Sequence, residues 1–520
     1  MQGNTPGQPV CKANLITILV IGVITLLRLL AVLLTPLDLG TDEAQYWHWS
    51  LHPDWGYFSK PPMIAWIIHL GQLLLGDTAF AIRAPAVLLH GLTALLLWQA
   101  ASRLYTPAAG RLVAVLWLSL PAVGLGSAVM STDTPMLTAL AAMLWLLAPL
   151  ANGDPMVAAR PAETAAAVSG QLGQNRQHWR FFLAGIAIGT AGLAKYAGLY
   201  ALAGLLLWQL VCRLYQTRLK PAGPKPTGPA VMSPGSWCML LAGTMLILGP
   251  NLLWNAGHQF ATITHLQHNA NLGDAVAGGV VGAVLFLFSQ AAVLGPVALL
   301  VLPLAFWQRR RDPASWFCLA FSLPPLLAIT LQAAFSEANA NWAVAAWPSA
   351  LLLLAGWLQA AAKGTRNWIG GLILASNGLL SLLLIAVLIS GSLGPLTPVS
   401  DPLRRLRGWS EHAAQLRALY EIHQPAAVIT ERRSIIARLA WQLRDLPLQL
   451  EIHDPDGRAD NHYEAEMPWR RQPGRSVILV TENPDSAPEI GLQDAVLIGQ
   501  SVVRISSRRD RRLYFLLATE

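Results

Sequence analysis

Asp38-Leu-Gly-Thr-Asp-Glu-Ala-Gln-Tyr-Trp-His-Trp-Ser50, followed by Asp54-Trp-Gly-Tyr-Phe-Ser-Lys-Pro-Pro62, lies between an apolar run from Leu15 to Leu34 and another that begins at Met63. A connection between two such runs needs no charge. This one holds four carboxylates, a lysine and two histidines among several aromatic residues. Trp and Tyr favour the membrane–water interface, so one reading is a solvated loop with an aromatic belt. The other is chemistry, because carboxylates at a membrane edge are costly to dehydrate and need a reason to be there. The spacing favours the second reading. Asp42, Gln45, Tyr46 and Trp49 stand at i, i+3, i+4 and i+7 and share one face of a helix. Asp42 and Glu43 fall near the start of that helix, where its dipole favours negative charge. Pro61-Pro62 then imposes an extended or turned backbone and fixes the direction of Lys60.

Composition explains the flanking runs. The chain has 520 residues, 54% of them hydrophobic and 12% charged, with a mean hydropathy of +0.44. Soluble domains carry about 25% charged residues. The deficit is concentrated before residue 392, where runs of the length that crosses a bilayer recur. The expected fold class is therefore a polytopic α-helical membrane protein with about eleven transmembrane helices. The expected spans are 15–36, 79–101, 111–130, 134–150, 181–194, 196–212, 236–254, 278–307, 315–334, 342–360 and 369–391. The pair meeting at Lys195 decides the count, because merging it would invert everything downstream. Lys12 and the apolar run after it read as a retained first helix rather than a cleaved signal.

Basic residues test the orientation. With the N-terminus inside, fifteen Lys and Arg fall in inside segments, from Lys12 to Lys363 and Arg366. The outside loops before residue 392 hold essentially Lys60, with Arg83 and Lys195 near helix ends. The formal net charge of +8 follows this rule, since 392–520 holds 17 Arg against 17 Asp or Glu and is neutral. It gives no argument for a nucleic-acid partner. Cys11, Cys212, Cys238 and Cys318 lie in or beside apolar segments or at the N-terminus, which does not support a disulfide framework. The segments 151–178 and 220–235 read as linkers.

From residue 396 the composition changes. Ala426–Thr430, Ser476–Thr481, Ala495–Gly499 and Leu513–Leu517 read as short buried strands, and Arg433–Arg444 as an amphipathic helix. The expected division is 1–395, a membrane domain with its candidate site loop at 37–78, and 396–520, a small α/β domain on the outer side. His453, Asp454, Asp456, Asp460 and His462 form a polar turn or, less simply, a metal cluster.

Thr41-Asp-Glu-Ala-Gln-Tyr-Trp47 followed by Gly56-Tyr-Phe-Ser-Lys-Pro-Pro62 resembles the first periplasmic loop of the bacterial GT-C glycosyltransferases. Within them it is similar to the branch of protein O-mannosyltransferases and lipid A aminoarabinose transferases. The resemblance extends to about residue 390. It implies an inverting transfer of a sugar from a polyprenyl-phosphate carrier to a lipid, glycan or protein acceptor. The reaction would take place on the periplasmic side of the bacterial inner membrane. Asp42 would be the general base, with Glu43 and Asp133 orienting the site. Asp133 matches the second acidic residue of such enzymes, or simply starts a helix before Pro135. Lys60, Lys195 and Arg83 would bind the donor phosphate, although Lys195 and Arg83 can also snorkel to the interface. Gln45, Tyr46, Trp47, Tyr57, Tyr196, His258, Glu337 and Asn341 would contact substrate. His265 and His268 read equally as an interface helix.

Aminoarabinose transferases carry Arg where this chain has Gln45, and Glu where it has Ser59. This leaves the sugar open, and no cofactor is certain, with a divalent metal an open option. A transporter or flippase of a lipid-linked substrate, or a scaffold with a periplasmic tail, are the rival readings. A reporter fused after residue 400 is expected to score as periplasmic and one within 220–230 as cytoplasmic. A cytoplasmic C-terminus would overturn both the helix count and the face assigned to the site.

Overall fold

The computed structural model describes residues 8–151, 167–218, 231–270, 278–392, 401–506 and 509–520. The first helices are α1 (Gln8–Leu34), α2 (Thr41–Ser50), α3 (Met63–Leu75), α4 (Ala79–Leu104), α5 (Pro107–Ser119), α6 (Pro121–Gly126), α7 (Asp133–Leu147) and α8 (Ala167–Ala194). They are followed by α9 (Tyr200–Arg218), α10 (Pro234–Gly257), α11 (Ala261–Ala270), α12 (Gly279–Leu294), α13 (Pro296–Arg309), α14 (Pro313–Phe335), α15 (Trp347–Ala360) and α16 (Lys363–Ser390). Among the described residues eight helical segments are long and apolar enough to cross a membrane, or nine if α12 and α13, bent by 108°, are one broken span. Each of the eleven expected spans falls on a helix or a helix pair. The lower count arises because Pro121 splits α5 from α6 and α8 opens on the polar stretch Gln171–Arg180. Large apolar side chains such as Leu253, Val280, Leu300 and Leu379 are mostly exposed, as lipid-facing residues are.

The chain divides into two compact units, 1–30 with Ala86–Gln259 and Leu266–Ile385, and Ala31–Pro85 with Phe260–His265 and Ala386–Glu520. In the first unit α8 packs on α10 through small residues. A Cβ on Gly185 would come within 1.9 Å of the Leu240 carbonyl oxygen, and one on Gly243 within 2.2 Å of that of Phe182. At the end of α8 Lys195 is extended (φ −159°, ψ 131°) and separates α8 from the turn 196–199 and α9. Arg28, inside α1, is buried and donates to Leu118 O at 2.6 Å and to the hydroxyls of Ser127 and Ser381.

The second unit contains the tail. Its elements are α17 (Trp409–His423), β1 (Ala427–Thr430), α18 (Arg433–Gln442), β2 (Leu450–Ile452), α19 (His462–Glu466), β3 (Ser476–Thr481), β4 (Val496–Ser506) and β5 (Arg509–Thr519). The sheet order is β2-β1-β3-β5-β4. β1 is parallel to β2 and β3, while β5 is antiparallel to β3 and β4. Parallel neighbours need a crossover, which α18 supplies between β1 and β2. The expected strands and amphipathic helix are present; α17 and the short β2 are additions to them. Two carboxylates of 454–460 serve the turn, Asp454 accepting from Gly457 N and Asp456 from Arg458 N.

Three histidines of this unit are held neutral by burial. His48 is pushed down to about 4, His462 to about 3 and His412 to about 4, burial being the main cause in each. The unfolded chain therefore binds protons below about pH 6.5 that the folded unit does not bind until pH 4 or lower. Stability is fully present above pH 6.5 and is lost as the pH falls through that window. The thermal midpoint of the protein in detergent is expected to drop between pH 7 and pH 5, and the drop should shrink in His462→Gln. A flat profile would show that these histidines are not buried neutral.

Candidate active site

Gly40 caps helix α2, and its N–H donates to Glu43 Oε2 at 3.0 Å. Glu43 is 1% exposed, and a carboxylate at that depth must be paired. Arg83, near the start of α4 and 2% exposed, supplies the partner. Its Nε donates to Oε1 and its Nη2 to Oε2, both at 2.9 Å. The same guanidinium donates to the carbonyls of Leu37 at 3.1 Å and Asp38 at 2.9 Å. The side chain expected to bind a donor phosphate is thus committed to Glu43 and the backbone ahead of α2.

Asp42, one residue earlier, is the opposite case. Its side chain is 64% exposed, and Arg433 Nη2 donates to its Oδ1 at 2.5 Å. Arg433 Nε donates to Gln45 Oε1 at 2.6 Å, so one tail arginine spans the two polar positions of the helix face. Asp38 is held by Trp409 N and Gln442 Nε2, each at 2.9 Å. Burial, the larger effect, raises its carboxyl above the ordinary value. Asp77 accepts from Trp47 Nε1, Gln72 and Arg444. Lys60 is half-buried, and its carbonyl accepts from Tyr57 N at 3.2 Å in the turn before Pro61-Pro62.

The rings expected to stack on substrate face inward. Tyr46 and Trp47 are buried, Trp47 edge-on to Trp441 at 5.0 Å. Tyr57 stacks on Trp49 at 4.7 Å and 7°, and its hydroxyl donates to the carbonyls of Trp49 and His52. Burial pushes that phenol up to about 12. These side chains build the loop.

The first unit holds a second polar group. Lys195 Nζ donates to Asp133 Oδ1 at 2.7 Å, and Asn341 Nδ2 to Asp133 Oδ2 at 2.9 Å. Asp133 opens α7 without capping it by its side chain. Tyr196 Oη donates to Asn251 Oδ1 at 2.8 Å and accepts from Asn255 Nδ2 at 3.0 Å. His258 caps α10, stacked on Trp254 at 4.0 Å, with its Nδ1 2.8 Å from Trp254 O. Glu337 is exposed in the link after α14. The His268 side chain lies outside the described residues, and His265 packs on Phe58. Among the described residues no group of three His, Cys, Asp or Glu converges to hold a metal ion.

Sequence reading missed Arg433. The signal available was a neutral tail with an arginine-rich helix, but nothing in it named a partner in the first loop. Arg28 was missed because one charge in a long apolar run leaves the span legible.

Residues 59–157 match the model of the dolichyl-phosphate-mannose-protein mannosyltransferase family. Lipid A galacturonosyltransferase RgtD of Rhizobium johnstonii is 30% identical over 469 residues, covering 88% of this chain and 89% of the relative. In structure the chain is similar to ArnT of Cupriavidus metallidurans in the apo state, with a TM-score of 0.65 at 13% identity over 98% of both chains. It is also similar to ArnT bound to undecaprenyl phosphate, with a TM-score of 0.61 at 14% identity over 99% of this chain and 98% of that one. The architecture is that of a multi-pass membrane glycosyltransferase. The chain belongs to the GT-C glycosyltransferase family that includes RgtD. The transporter and scaffold readings fall with that result, and the resemblance of the first loop is one of kinship.

Truncating Arg83 to Ala would leave Glu43 buried without its partner. A loss of about 3–5 kcal/mol is expected, more than in the paired change Arg83→Met with Glu43→Leu, which removes both charges. Unfolding in detergent measures both; equal losses would mean that the ion pair is not the reason for the instability.

Proposed function

We propose that this enzyme transfers a sugar, with inversion, from a polyprenyl-phosphate carrier to a lipid acceptor at the periplasmic face of the bacterial inner membrane. The observation that carries the assignment of the base is the contrast between adjacent carboxylates. Glu43 is clamped at 1% exposure, while Asp42 is presented at 64%. An exposed carboxylate on a rigidly held helix can take the proton from an acceptor hydroxyl. Arg433, bonded to Asp42 and Gln45, aims that carboxylate. Lys60 balances the charge that grows on the departing polyprenyl phosphate. Arg83 fixes Glu43 and is read here as a positioning residue rather than a phosphate ligand. Asp133, Asn341 and Tyr196 hold Lys195 and its surroundings. The undecaprenyl phosphate of the ArnT complex supports the carrier class, and the lipid A substrate of RgtD supports a glycolipid acceptor. The galacturonic acid transferred by RgtD makes a uronic acid the first sugar to test.

Asp42→Asn keeps the size of the side chain and a bond to Arg433 but cannot accept the proton. Turnover is expected to fall by about 10² or more while donor binding holds. Lys60→Ala should weaken both donor binding and rate, and Lys60→Arg should restore part of the binding. Purified protein in lipid, given labelled polyprenyl-phosphate sugar, measures all three. Normal transfer by a folded Asp42→Asn variant would remove the role assigned to Asp42.

A further inference from the structure

The tail is neutral as a whole, yet its charges are unevenly placed. A cavity of about 360 Å³ lies between the turn Pro402–Leu406 and the paired ends of β4 and β5. Its walls carry Arg404, Arg405, Arg509, Arg511 and Arg512 against Glu482 and Asp510. Both acids are engaged by arginines outside the lining, Glu482 by Arg432 at 3.1 Å and Asp510 by Arg504 at 2.7 Å. Five cations therefore face one space with two carboxylates, both already bridged to other arginines. Arg511 is held in place, its Nη1 donating to Arg407 O at 2.7 Å and its Nη2 to Arg404 O at 2.9 Å. Its guanidinium also lies 4.4 Å over Trp409, on which Arg438 packs at the same distance. Like charges collected around a fixed guanidinium repel one another unless an anion joins them.

The position of the cavity narrows the choice of anion. Asp38 N donates to Leu406 O at 2.9 Å, four residues after α1 ends at Leu34. Arg407 Nε donates to Gly391 O at 2.8 Å, one residue after α16 ends at Ser390. The wall that carries Arg404 and Arg405 is thus tied to the ends of two membrane helices. Anionic groups at that level of a bilayer are lipid headgroups. The volume is on the scale of small-ligand sites.

We propose that this arginine-lined cavity binds the phosphate-bearing headgroup of a lipid at the membrane surface. The site shares no residue with the Asp42 centre, and its existence does not depend on the catalytic roles assigned above. It would retain a phosphorylated lipid through charge-assisted bonds, for which arginine has the donor geometry.

The test uses the purified full chain in neutral detergent and short-chain phosphatidic acid, with short-chain phosphatidylcholine and inorganic phosphate as comparisons. Phosphatidic acid is expected to bind, with an affinity that falls as salt rises. Arg404→Gln combined with Arg509→Gln and Arg512→Gln should weaken that binding by about tenfold or more, three charge contacts being lost. Arg511 is left in place because it holds backbone carbonyls. Arg458→Gln with Arg470→Gln, exposed elsewhere in the tail, should leave binding unchanged. Three results would each overturn the proposal. One is wild-type affinity in the triple variant. Another is binding lost in Arg458→Gln with Arg470→Gln instead. The third is inorganic phosphate that competes as well as the lipid, which would make this a soluble-anion site.

Discussion

The ion pair between Arg83 and Glu43 is the constraint from which the geometry of the first loop follows. Both groups are almost fully buried, and neither charge could remain there alone. Glu43 must stay at the N-terminus of α2 because Gly40 N–H and the Arg83 fork hold both its oxygens. Arg83 in turn reaches the carbonyls of Leu37 and Asp38, so the segment leading into α2 is fixed together with the helix. Lysine could not replace it, since one ammonium cannot present a planar fork to a carboxylate and also serve two carbonyls in these directions. With Glu43 turned inward, the helical rotation leaves Asp42 facing out.

The tail supplies the remaining charge balance of the loop. Arg433 serves Asp42 and Gln45, Arg444 serves Asp77, and Gln442 serves Asp38. These residues lie on or just beyond α18, which packs on α2. Gln45 gains a meaning from this. An arginine at that position, as in the aminoarabinose branch, would bring a second guanidinium against Arg433, whereas the amide oxygen of Gln45 accepts from it at 2.6 Å. The cation is present beside α2, but the tail carries it.

The fold was legible where physical chemistry acts locally. Apolar length marked the spans, and the alternation of the tail marked its longer strands and the helix α18. The i, i+3, i+4, i+7 face of the first loop became α2. Its polar members Asp42 and Gln45 bond to a single arginine, while Tyr46 and Trp49 are buried. What local pattern could not give was partnership at a distance. Asp42 and Arg433 are 391 positions apart, and no spacing rule pairs them. The buried state of Tyr46, Trp47 and Tyr57 was equally hidden. An aromatic ring beside a carboxylate reads the same whether it faces a sugar or Trp441. The grouping of 31–85 with 386–520 follows from those distant bonds.

Magnitudes separate the charges that build from those that can act. The Arg83–Glu43 pair is too deep to open, since removing either partner costs about 3–5 kcal/mol. Asp42 and Arg433 are 64% and 36% exposed, and Lys195 and Asp133 are 20% and 15% exposed. Pairs open to water contribute about 0–1 kcal/mol, so the bond between Arg433 and Asp42 can open at little cost. The Lys195 pair, less exposed, falls between the two limits, and Asn341 keeps a bond to Asp133 if the lysine moves. A substrate that brings its own phosphate replaces one partner of such a pair without leaving a buried charge behind. The same exchange at Arg83 would strand Glu43. That difference leaves Arg83 to hold the helix that presents Asp42.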